Sequence, residues 1–152
     1  MKKSFLYIAV AAIMISTACK SGRTSTDDIA ASVDSFAVNY FNWHFAQAAK
    51  FCTTDSFRWL QFAASQVDTV DIKALRNKKT QLTVEVNDID INKEETEAQV
   101  SISVSNYMAM GKYGMEPKEI SHDDFCLNVV RTVGGWKVRM EALPQSEKQN
   151  HG

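Results

Sequence analysis

The chain has 152 residues, and its 17 lysines and arginines against 18 aspartates and glutamates give a formal net charge of -1 at neutral pH. A chain of this length supports one hydrophobic core rather than two. Because nucleic-acid-binding surfaces normally need a clustered basic face, the near-neutral charge balance argues against binding to DNA or RNA.

The first 18 residues have the composition of a secretory signal peptide. Lys2 and Lys3 precede an almost uninterrupted apolar run over residues 5–15, and small residues follow at positions 16–18. A charged start, an apolar stretch of about 7–15 residues and a small-residue cleavage site define such a signal. The run is shorter than the roughly 20 residues that a membrane-spanning helix needs. Residues 1–18 are therefore predicted to be removed on export.

The residues around the predicted cleavage site are Ser16-Thr17-Ala18-Cys19. They resemble the lipobox of bacterial lipoproteins, in which a small residue directly precedes the cysteine, although Ser16 stands where that family usually has an aliphatic residue. The resemblance implies a diacylglyceryl thioether on Cys19 and an acylated amino group, and two or more acyl chains are enough for stable anchoring. The alternative is ordinary cleavage near a cysteine without lipidation. Residues 19–27 are predicted to be the lipidated cysteine and a polar tether.

The residues after Cys19 also bear on location. An acidic run in that place helps to send some Bacteroidetes lipoproteins to the cell surface, and this chain has Lys20-Ser21-Gly22 instead. We therefore expect a protein of the bacterial cell envelope, held by its lipid at the outer membrane and facing the periplasm.

Two more cysteines, Cys52 and Cys126, remain once Cys19 is assigned to the anchor. The cell envelope permits disulfides, so these two residues are candidates for one disulfide bond. The alternative is that both are buried free thiols, which pack as small hydrophobes.

The spacing of apolar residues predicts helices in the first half of the domain. One helical face is formed, at steps of three, four and five residues, by Ile29, Val33, Phe36, Tyr40, Trp43 and Ala48. With Thr26 as the N-cap, we predict one long helix over residues 28–50. Thr54 and Asp55 begin a second helix, and a short third helix is predicted around residues 71–77.

The apolar period changes to two from Leu82 onward, which predicts β-strands. A change of parity at Asn87-Asp88 predicts a β-bulge in the first strand. A turn at residues 92–95 leads into a second strand over residues 98–104, and this pair is the clearest hairpin in the chain.

Two further alternating segments complete the predicted sheet. Residues 111–121 contain a proline and two glycines, and we predict a loop with at most an edge strand there, because proline cannot donate to a central ladder. Residues 125–129 and 136–140 are predicted strands joined by a tight turn at Gly134-Gly135. Residues 144–152 are predicted to be a frayed polar tail.

Helices followed by strands indicate an α+β fold, with N-terminal helices packed on a curved antiparallel sheet of four or more strands. The long aromatic helix, the break Cys52-Thr53-Thr54-Asp55 and the closing Gly134-Gly135-Trp136-Lys137-Val138 resemble the NTF2-like (cystatin-like, SnoaL-like) superfamily, in the version found in small Bacteroidetes lipoproteins. The resemblance covers residues 28–143 and implies a cone with a pocket at its open end. Members of that superfamily range from enzymes to binding or dimerisation modules, so the fold does not choose a function.

The candidates for lining such a pocket are Tyr40, His44, Trp59 and Tyr107. His44 is either a base or hydrogen-bond donor facing the pocket, or a satisfied histidine of the helix. We predict His122, Asp123 and Asp124 to be solvated loop residues, because neighbours on a strand point to opposite faces and make a poor metal cluster. No catalytic residue, metal site or cofactor is predicted.

Two classes of function remain open. The first is a non-catalytic envelope lipoprotein that binds a small molecule, a peptide or a protein partner; the second is a small pocket enzyme such as an isomerase or dehydratase. An enzyme should have a buried carboxylate or histidine beside an apolar cavity. We predict that no strongly perturbed titratable group lines the cavity. The sequence leaves open whether the protein forms a homodimer through its sheet.

Overall fold

The computed structural model describes residues 24–112 and 114–149, so the predicted signal peptide and Cys19 lie outside the described residues. Within these ranges the fold is α+β, with four α-helices and an open four-stranded antiparallel sheet. The helices are α1 (Ser25–Phe41), α2 (Phe45–Ala48), α3 (Phe57–Gln66) and α4 (Thr69–Asn77), and the strands are β1 (Thr83–Ile91), β2 (Glu97–Ala109), β3 (Lys118–Thr132) and β4 (Gly135–Arg139). Short 3-10 turns occupy Ala49–Phe51 and Thr54–Ser56.

Helix α1 begins earlier than predicted. Thr24 is its N-cap, and a capping box joins the Thr24 side chain to the Asp27 backbone and the Asp27 carboxylate to the Thr24 N–H. Such a cap stabilises a helix by about 1 kcal/mol. The last three residues of the predicted tether 19–27 therefore belong to the helix.

The prediction of one helix over residues 28–50 is wrong. Helix α1 ends at Phe41, and Trp43 has a left-handed backbone with φ 60°. The His44 N–H returns to the Asn39 carbonyl at 2.8 Å, after which α2 begins at Phe45. The aromatic residues keep a helical spacing across this kink, so the kink cannot be detected from their periodicity alone.

The sheet is a meander in the order β1-β2-β3-β4. The register between β1 and β2 shifts between Val86 and Asp88, which confirms the predicted bulge. The predicted third helix is also confirmed, as α4 with Asp68 as its N-cap. The tight turn before β4 lies one residue earlier than predicted, at Val133 and Gly134.

The core lies between α1 and one face of the sheet. Helix α1 buries Ile29, Val33, Phe36 and Ala37 against strand residues such as Val100, Ile102, Val104, Leu127 and Val129. The opposite sheet face carries polar side chains, among them Gln99, Ser101 and Ser105 on β2. Alternation along each strand thus separates a dry face from a wet face.

Strand β3 corrects two predictions. It begins at Lys118, directly after Pro117, and is a 15-residue central strand rather than an edge strand. Pro117 precedes the ladder and so removes no hydrogen bond from it. His122, Asp123 and Asp124 accordingly lie within β3 and not in a loop. They do alternate between faces, since Asp123 is buried and His122 is exposed.

The C-terminal strap, residues 143–149, is docked on the sheet, although a frayed tail was predicted. Strand β4 pairs with only the last five residues of β3, which leaves the edge of β3 open near Phe125. Ser146 forms a bridge to Phe125 there, and the Glu147 N–H donates to the Asp124 carbonyl at 2.9 Å. The strap therefore supplies hydrogen bonds that β4 is too short to supply.

Candidate functional site

A cavity of about 190 Å³ lies between the end of α1, strands β2 and β3, and the C-terminal strap. We call it the aromatic pocket, because five of the side chains that line it are Tyr40, Phe41, Trp43, Tyr107 and Phe125. Leu143, Pro144, Ser146 and Gln149 of the strap line the same cavity. Ligand sites are usually lined by apolar and aromatic side chains with a few polar groups, and this cavity has such a lining, although it is smaller than the roughly 300–1,000 Å³ of a typical ligand pocket.

The wall of the aromatic pocket is a connected cluster of rings. The ring centroid of Phe41 lies 5.1 Å from that of Tyr107 and 4.8 Å from that of Phe125. Tyr40 packs edge-on against Phe41 at 5.1 Å. Each such contact contributes roughly 0.5–1.5 kcal/mol beyond area burial, so the cluster holds the wall rigid.

Two left-handed backbone positions shape this wall. Among the described residues, three non-glycine residues have positive φ, and two of them are Trp43 (φ 60°) and Asn106 (φ 58°). Trp43 lines the pocket itself, and Asn106 directly precedes Tyr107. Asparagine adopts this conformation readily, whereas it costs a bulky residue such as Trp43 roughly 1–2 kcal/mol. Strain of the kind at Trp43 persists where the surrounding structure compels it, and it is concentrated at functional sites.

Asn106 determines which way Tyr107 points. Strict alternation after the inward-facing Val104 would turn Tyr107 outward, yet Tyr107 packs against Phe41 on the inner face. The bend is held from both sides: the Lys78 ammonium donates to the Asn106 carbonyl, and the Asn106 amide donates to the Gln81 carbonyl at 3.2 Å. The chain between α4 and β1 thereby positions a pocket residue on β2.

Tyr107 is hydrogen-bonded to a buried carboxylate. Its hydroxyl donates to Oδ2 of Asp123 at 2.7 Å, and the Asp123 side chain is only 10% exposed. The other oxygen, Oδ1, lies 3.0 Å from the ammonium of Lys148 on the strap. Lys148 also donates to the His122 carbonyl at 3.1 Å. Both carboxylate oxygens therefore have a protein donor.

The titration of these groups follows from their surroundings. Burial by itself raises the pKa of Asp123, but the hydrogen bonds from Tyr107 and Lys148 and the charges of Lys148 and His122 outweigh it, so the pKa is lowered. Burial raises the pKa of Tyr107, and the Asp123 hydrogen bond and charge raise it further. Burial also raises the pKa of Tyr40. At neutral pH the two phenols that line the pocket are thus neutral, and Tyr107 is hydrogen-bonded to an ionised carboxylate that is not itself part of the lining.

The prediction that no perturbed titratable group lines the cavity is therefore wrong. Tyr40 and Tyr107 both line it, and the pKa of each lies well above the ordinary range. Tyrosine is protonated at neutral pH in any case, and these shifts move its ionisation further away, so both phenols can make hydrogen bonds without exchanging a proton with a ligand.

Of the four candidate pocket residues, the structure brings Tyr40 and Tyr107 together. His44 is exposed at the start of α2, and Trp59 is half-buried on α3 with the Arg58 guanidinium 5.3 Å above its ring. Neither lines the aromatic pocket. Asp123 was missed, although it lies two residues before Phe125 and strand alternation puts both on one face.

Cys52 and Cys126 are free thiols in the structure. Cys52 is buried beside β4, and burial raises its pKa to about 11, with Lys137 lowering it and Asp55 raising it by smaller amounts. Cys126 is exposed on the outer sheet face, and partial desolvation together with Glu147 raises its pKa. Of the two alternatives left open by the sequence, the structure has no Cys52–Cys126 disulfide, and of the two free thiols only Cys52 is buried.

The outer sheet face carries a serine–histidine–aspartate set that the sequence analysis did not foresee. The Ser105 hydroxyl lies 3.2 Å from Nδ1 of His122, and Nε2 of His122 lies 3.3 Å from Asp124. The side chains of His122 and Asp124 are 53% and 48% exposed, so water screens the group. Nucleophilic catalysis needs a desolvated site with donors for an oxyanion, and an open sheet face provides neither. We interpret the set as surface hydrogen bonding.

Comparison with known proteins gave no match: no family model fits the chain, and no curated protein or solved structure is significantly similar to it. Over the described ranges, none of the helices is both long and apolar enough to cross a membrane. In the same part of the chain, no three His, Cys, Asp or Glu side chains are grouped as metal ligands. We therefore base the proposed function of this protein on the class of its fold and on the geometry of the aromatic pocket.

Proposed function

We propose that this protein is a lipid-anchored lipoprotein of the bacterial envelope, facing the periplasm at the outer membrane, whose NTF2-like domain binds a small ligand in the aromatic pocket without catalysis. The signal sequence and Cys19 support the anchor. The helices on an antiparallel sheet, with a cavity bounded by α1, β2 and β3, support the cone-like arrangement.

The observation that carries the binding proposal is the pair of left-handed residues Trp43 and Asn106. Each of them directs an aromatic side chain to the same cavity. Asparagine tolerates this conformation, but a chain that only needed to fill its core would be expected to use glycine or a regular helix in place of Trp43. The two left-handed residues are 63 positions apart in sequence, so they arise from separate local conformations that converge on one site.

The pair of Tyr107 and Asp123 favours a second candidate, the small pocket enzyme. A buried carboxylate beside an apolar cavity is the feature expected of such an enzyme. However, a general base works best with a pKa near the operating pH, and the pKa of Asp123 is lowered. Tyr107 donates its only proton to Asp123 and keeps it because its pKa is raised. The pair therefore fits the recognition of a ligand better than proton transfer.

The experiment that tests binding uses the methionines of the pocket as reporters. Met108 and Met110 line it, and their methyl groups give separate NMR signals when carbon-13 labelled. Small aromatic probes, namely phenol, indole and benzyl alcohol, are titrated into the protein. We expect saturable shifts of both methyl signals.

A variant that fills the pocket and a matched control outside it show whether the methyl shifts come from binding in the pocket. Ala109 lines the pocket, so Ala109→Leu should abolish the shifts. Ala31 is exposed on α1, and Ala31→Leu adds the same atoms outside the pocket and should leave the shifts unchanged. If no probe shifts the wild-type methyl signals, or if Ala109→Leu binds as well as wild type, the pocket is not a ligand site.

A further inference from the structure

We propose, on the basis of the lipid anchor proposed above, that the outer face of helices α2 and α3 docks on the anionic surface of the bilayer that holds Cys19. The proposed contact specifies which side of the domain lies against the membrane. Three features point to it: an apolar groove between the two helices, exposed phenylalanines beside the groove, and a net positive charge that is confined to this part of the chain.

A groove of about 270 Å³ lies between α2 and α3. Apart from Gln61, the side chains that line it are apolar: Phe45, Ala46, Ala49, Phe57, Leu60 and Ala64. Four of the lining residues, Ala46, Phe57, Gln61 and Ala64, are exposed, so the groove opens to the surface of the domain. Covering apolar surface of this kind with hydrocarbon removes it from water and is favourable.

Helix α3 carries two exposed phenylalanines on its outer face. Phe57 and Phe62 are 39% and 49% exposed. Arg58 precedes Phe62 by four residues, so the two side chains are neighbours on the helix surface, and the Arg58 guanidinium lies 5.3 Å from the centroid of the Trp59 ring. Helices that lie in the plane of a membrane surface combine aromatic and basic side chains in this way.

Net positive charge is confined to the segment that contains these helices. Residues 42–79 have six lysines and arginines against three aspartates, whereas residues 24–41 and 80–149 together have seven basic residues against fifteen acidic ones. Each Lys or Arg close to an anionic lipid surface strengthens binding about fivefold. The acidic remainder of the domain is repelled by the same surface, so charge favours the orientation in which the helices face the bilayer.

The predicted tether between the anchor and the fold is short. Helix α1 has its N-cap at Thr24, five residues after Cys19. Five residues of fully extended chain span at most about 18 Å, so the start of α1 stays within that distance of the lipidated residue. The anchor therefore keeps the domain close enough to the bilayer for one of its faces to touch the lipid surface.

Two hydrogen bonds through β4 place the groove beside the first half of α1. The Ser32 hydroxyl, in that half of the helix, donates to the Trp136 carbonyl at 2.8 Å. The next residue, Lys137, donates through its ammonium to the Lys50 carbonyl at 2.7 Å, and Ala49 lines the groove. The groove is thus close to the half of α1 that the tether holds near the membrane.

The test uses the lipidated full-length protein, reconstituted in vesicles of phosphatidylcholine and phosphatidylglycerol. A bimane fluorophore is attached at Gln61→Cys in the groove or at Gln99→Cys on the outer sheet face, and lipids with nitroxide-labelled acyl chains quench it. Both proteins carry Cys126→Ser, because Cys126 is exposed whereas Cys52 is buried. We expect at least about threefold more quenching at position 61 than at position 99.

Variants of the docking face have matched controls elsewhere on the surface. Phe57→Gln combined with Phe62→Gln removes the exposed apolar side chains and should reduce quenching at position 61, whereas Met115→Gln, at a 60% exposed position between β2 and β3, should not. Arg58→Gln should lower the ratio of docked to undocked protein about fivefold. Lys93→Gln, in the exposed turn between β1 and β2, should change nothing.

Flotation of the vesicles in a density gradient separates failure of the anchor from failure of the docking. If the protein floats with the vesicles but positions 61 and 99 are quenched equally, or the double phenylalanine variant is quenched like wild type, the docking face is wrong and the anchor stands. Equal quenching at position 61 with and without phosphatidylglycerol would overturn the anionic surface as the partner. If the protein does not float with the vesicles, the anchor and the docking both fail.

Discussion

Tyr107 on β2 donates its hydroxyl proton to Asp123 on β3 across 2.7 Å, and the two side chains share a face only because Asn106 interrupts the alternation of β2. The register pairs Asp123 with Val104 and Tyr107 with Ile120, so the two residues are not direct cross-strand partners. One left-handed residue thus joins Tyr107, which lines the aromatic pocket, to the buried Asp123.

The first prediction concerns that residue. Asn106→Ala places an alanine at positive φ and removes the amide bond to Gln81, so we expect a loss of about 1–2 kcal/mol in the free energy of unfolding. Asn106→Gly loses the same amide but tolerates the backbone conformation, and it should be the more stable of the two variants. Urea unfolding measures both. Equal stability of the two variants would show that the left-handed backbone is not strained.

The second prediction concerns pH. The pKa of Asp123 is lowered in the folded protein, below the value of about 3.9 expected in the unfolded chain. Its contribution to stability is therefore complete above the unfolded pKa and is lost as the pH falls through the folded pKa. Wild type should lose more stability between pH 5 and about pH 2 than Asp123→Asn does.

Urea unfolding across that range provides the measurement. Asp34→Asn, at an exposed position on α1, is the control for a general loss of carboxylate charge and should follow wild type. If Asp123→Asn and wild type lose stability in parallel, the carboxylate of Asp123 is not stabilised by its partners.

The third prediction concerns the two thiols. Cys126 is exposed, whereas Cys52 is buried with a pKa of about 11, so little of Cys52 is thiolate at pH 8. Iodoacetamide at pH 8 should modify Cys126 in the native protein and Cys52 only after denaturation. Peptide mass spectrometry distinguishes the two sites. A peptide pair joined by a Cys52–Cys126 disulfide in protein from the envelope would contradict the free thiols.

The fourth prediction concerns the anchor. In cells, Cys19→Ser should move the protein from the membrane fraction to the soluble fraction, because the acyl chains that we propose on Cys19 would supply the membrane affinity. Cys126→Ser is the matched control and should stay with the membranes. Mass spectrometry of the mature N-terminus should find acyl groups on wild type. A Cys19→Ser protein that stays with membranes, together with an unmodified wild-type N-terminus, would refute the anchor.

Local patterns predicted much of the secondary structure. The change of parity at Asn87 identified a bulge that the register confirms, and a short helix was predicted around residues 71–77, where α4 lies. Both features depend on contacts between near neighbours along the chain, or on one simple hairpin. Periodicity and capping residues describe such contacts directly.

The wrong predictions share a different cause. The kink at Trp43 leaves the aromatic spacing of a helix intact, and the docking of residues 143–149 depends on how far β4 extends along β3. Neither the cost of a left-handed tryptophan nor an unpaired strand edge can be detected in a stretch of sequence. Both are set by partners distant in the chain.

The class of fold and the dry and wet faces of the strands could be predicted from the sequence, because they depend on composition and on periods of a few residues, and the export and lipidation that we propose are argued from the same kind of pattern. The sequence did not reveal that Tyr107, which lines the aromatic pocket, contacts Asp123, and that Asp123 in turn contacts Lys148. That meeting depends on a backbone conformation at Asn106 and on the strap crossing β3, and the free energy that compels both comes from packing between segments far apart in the chain.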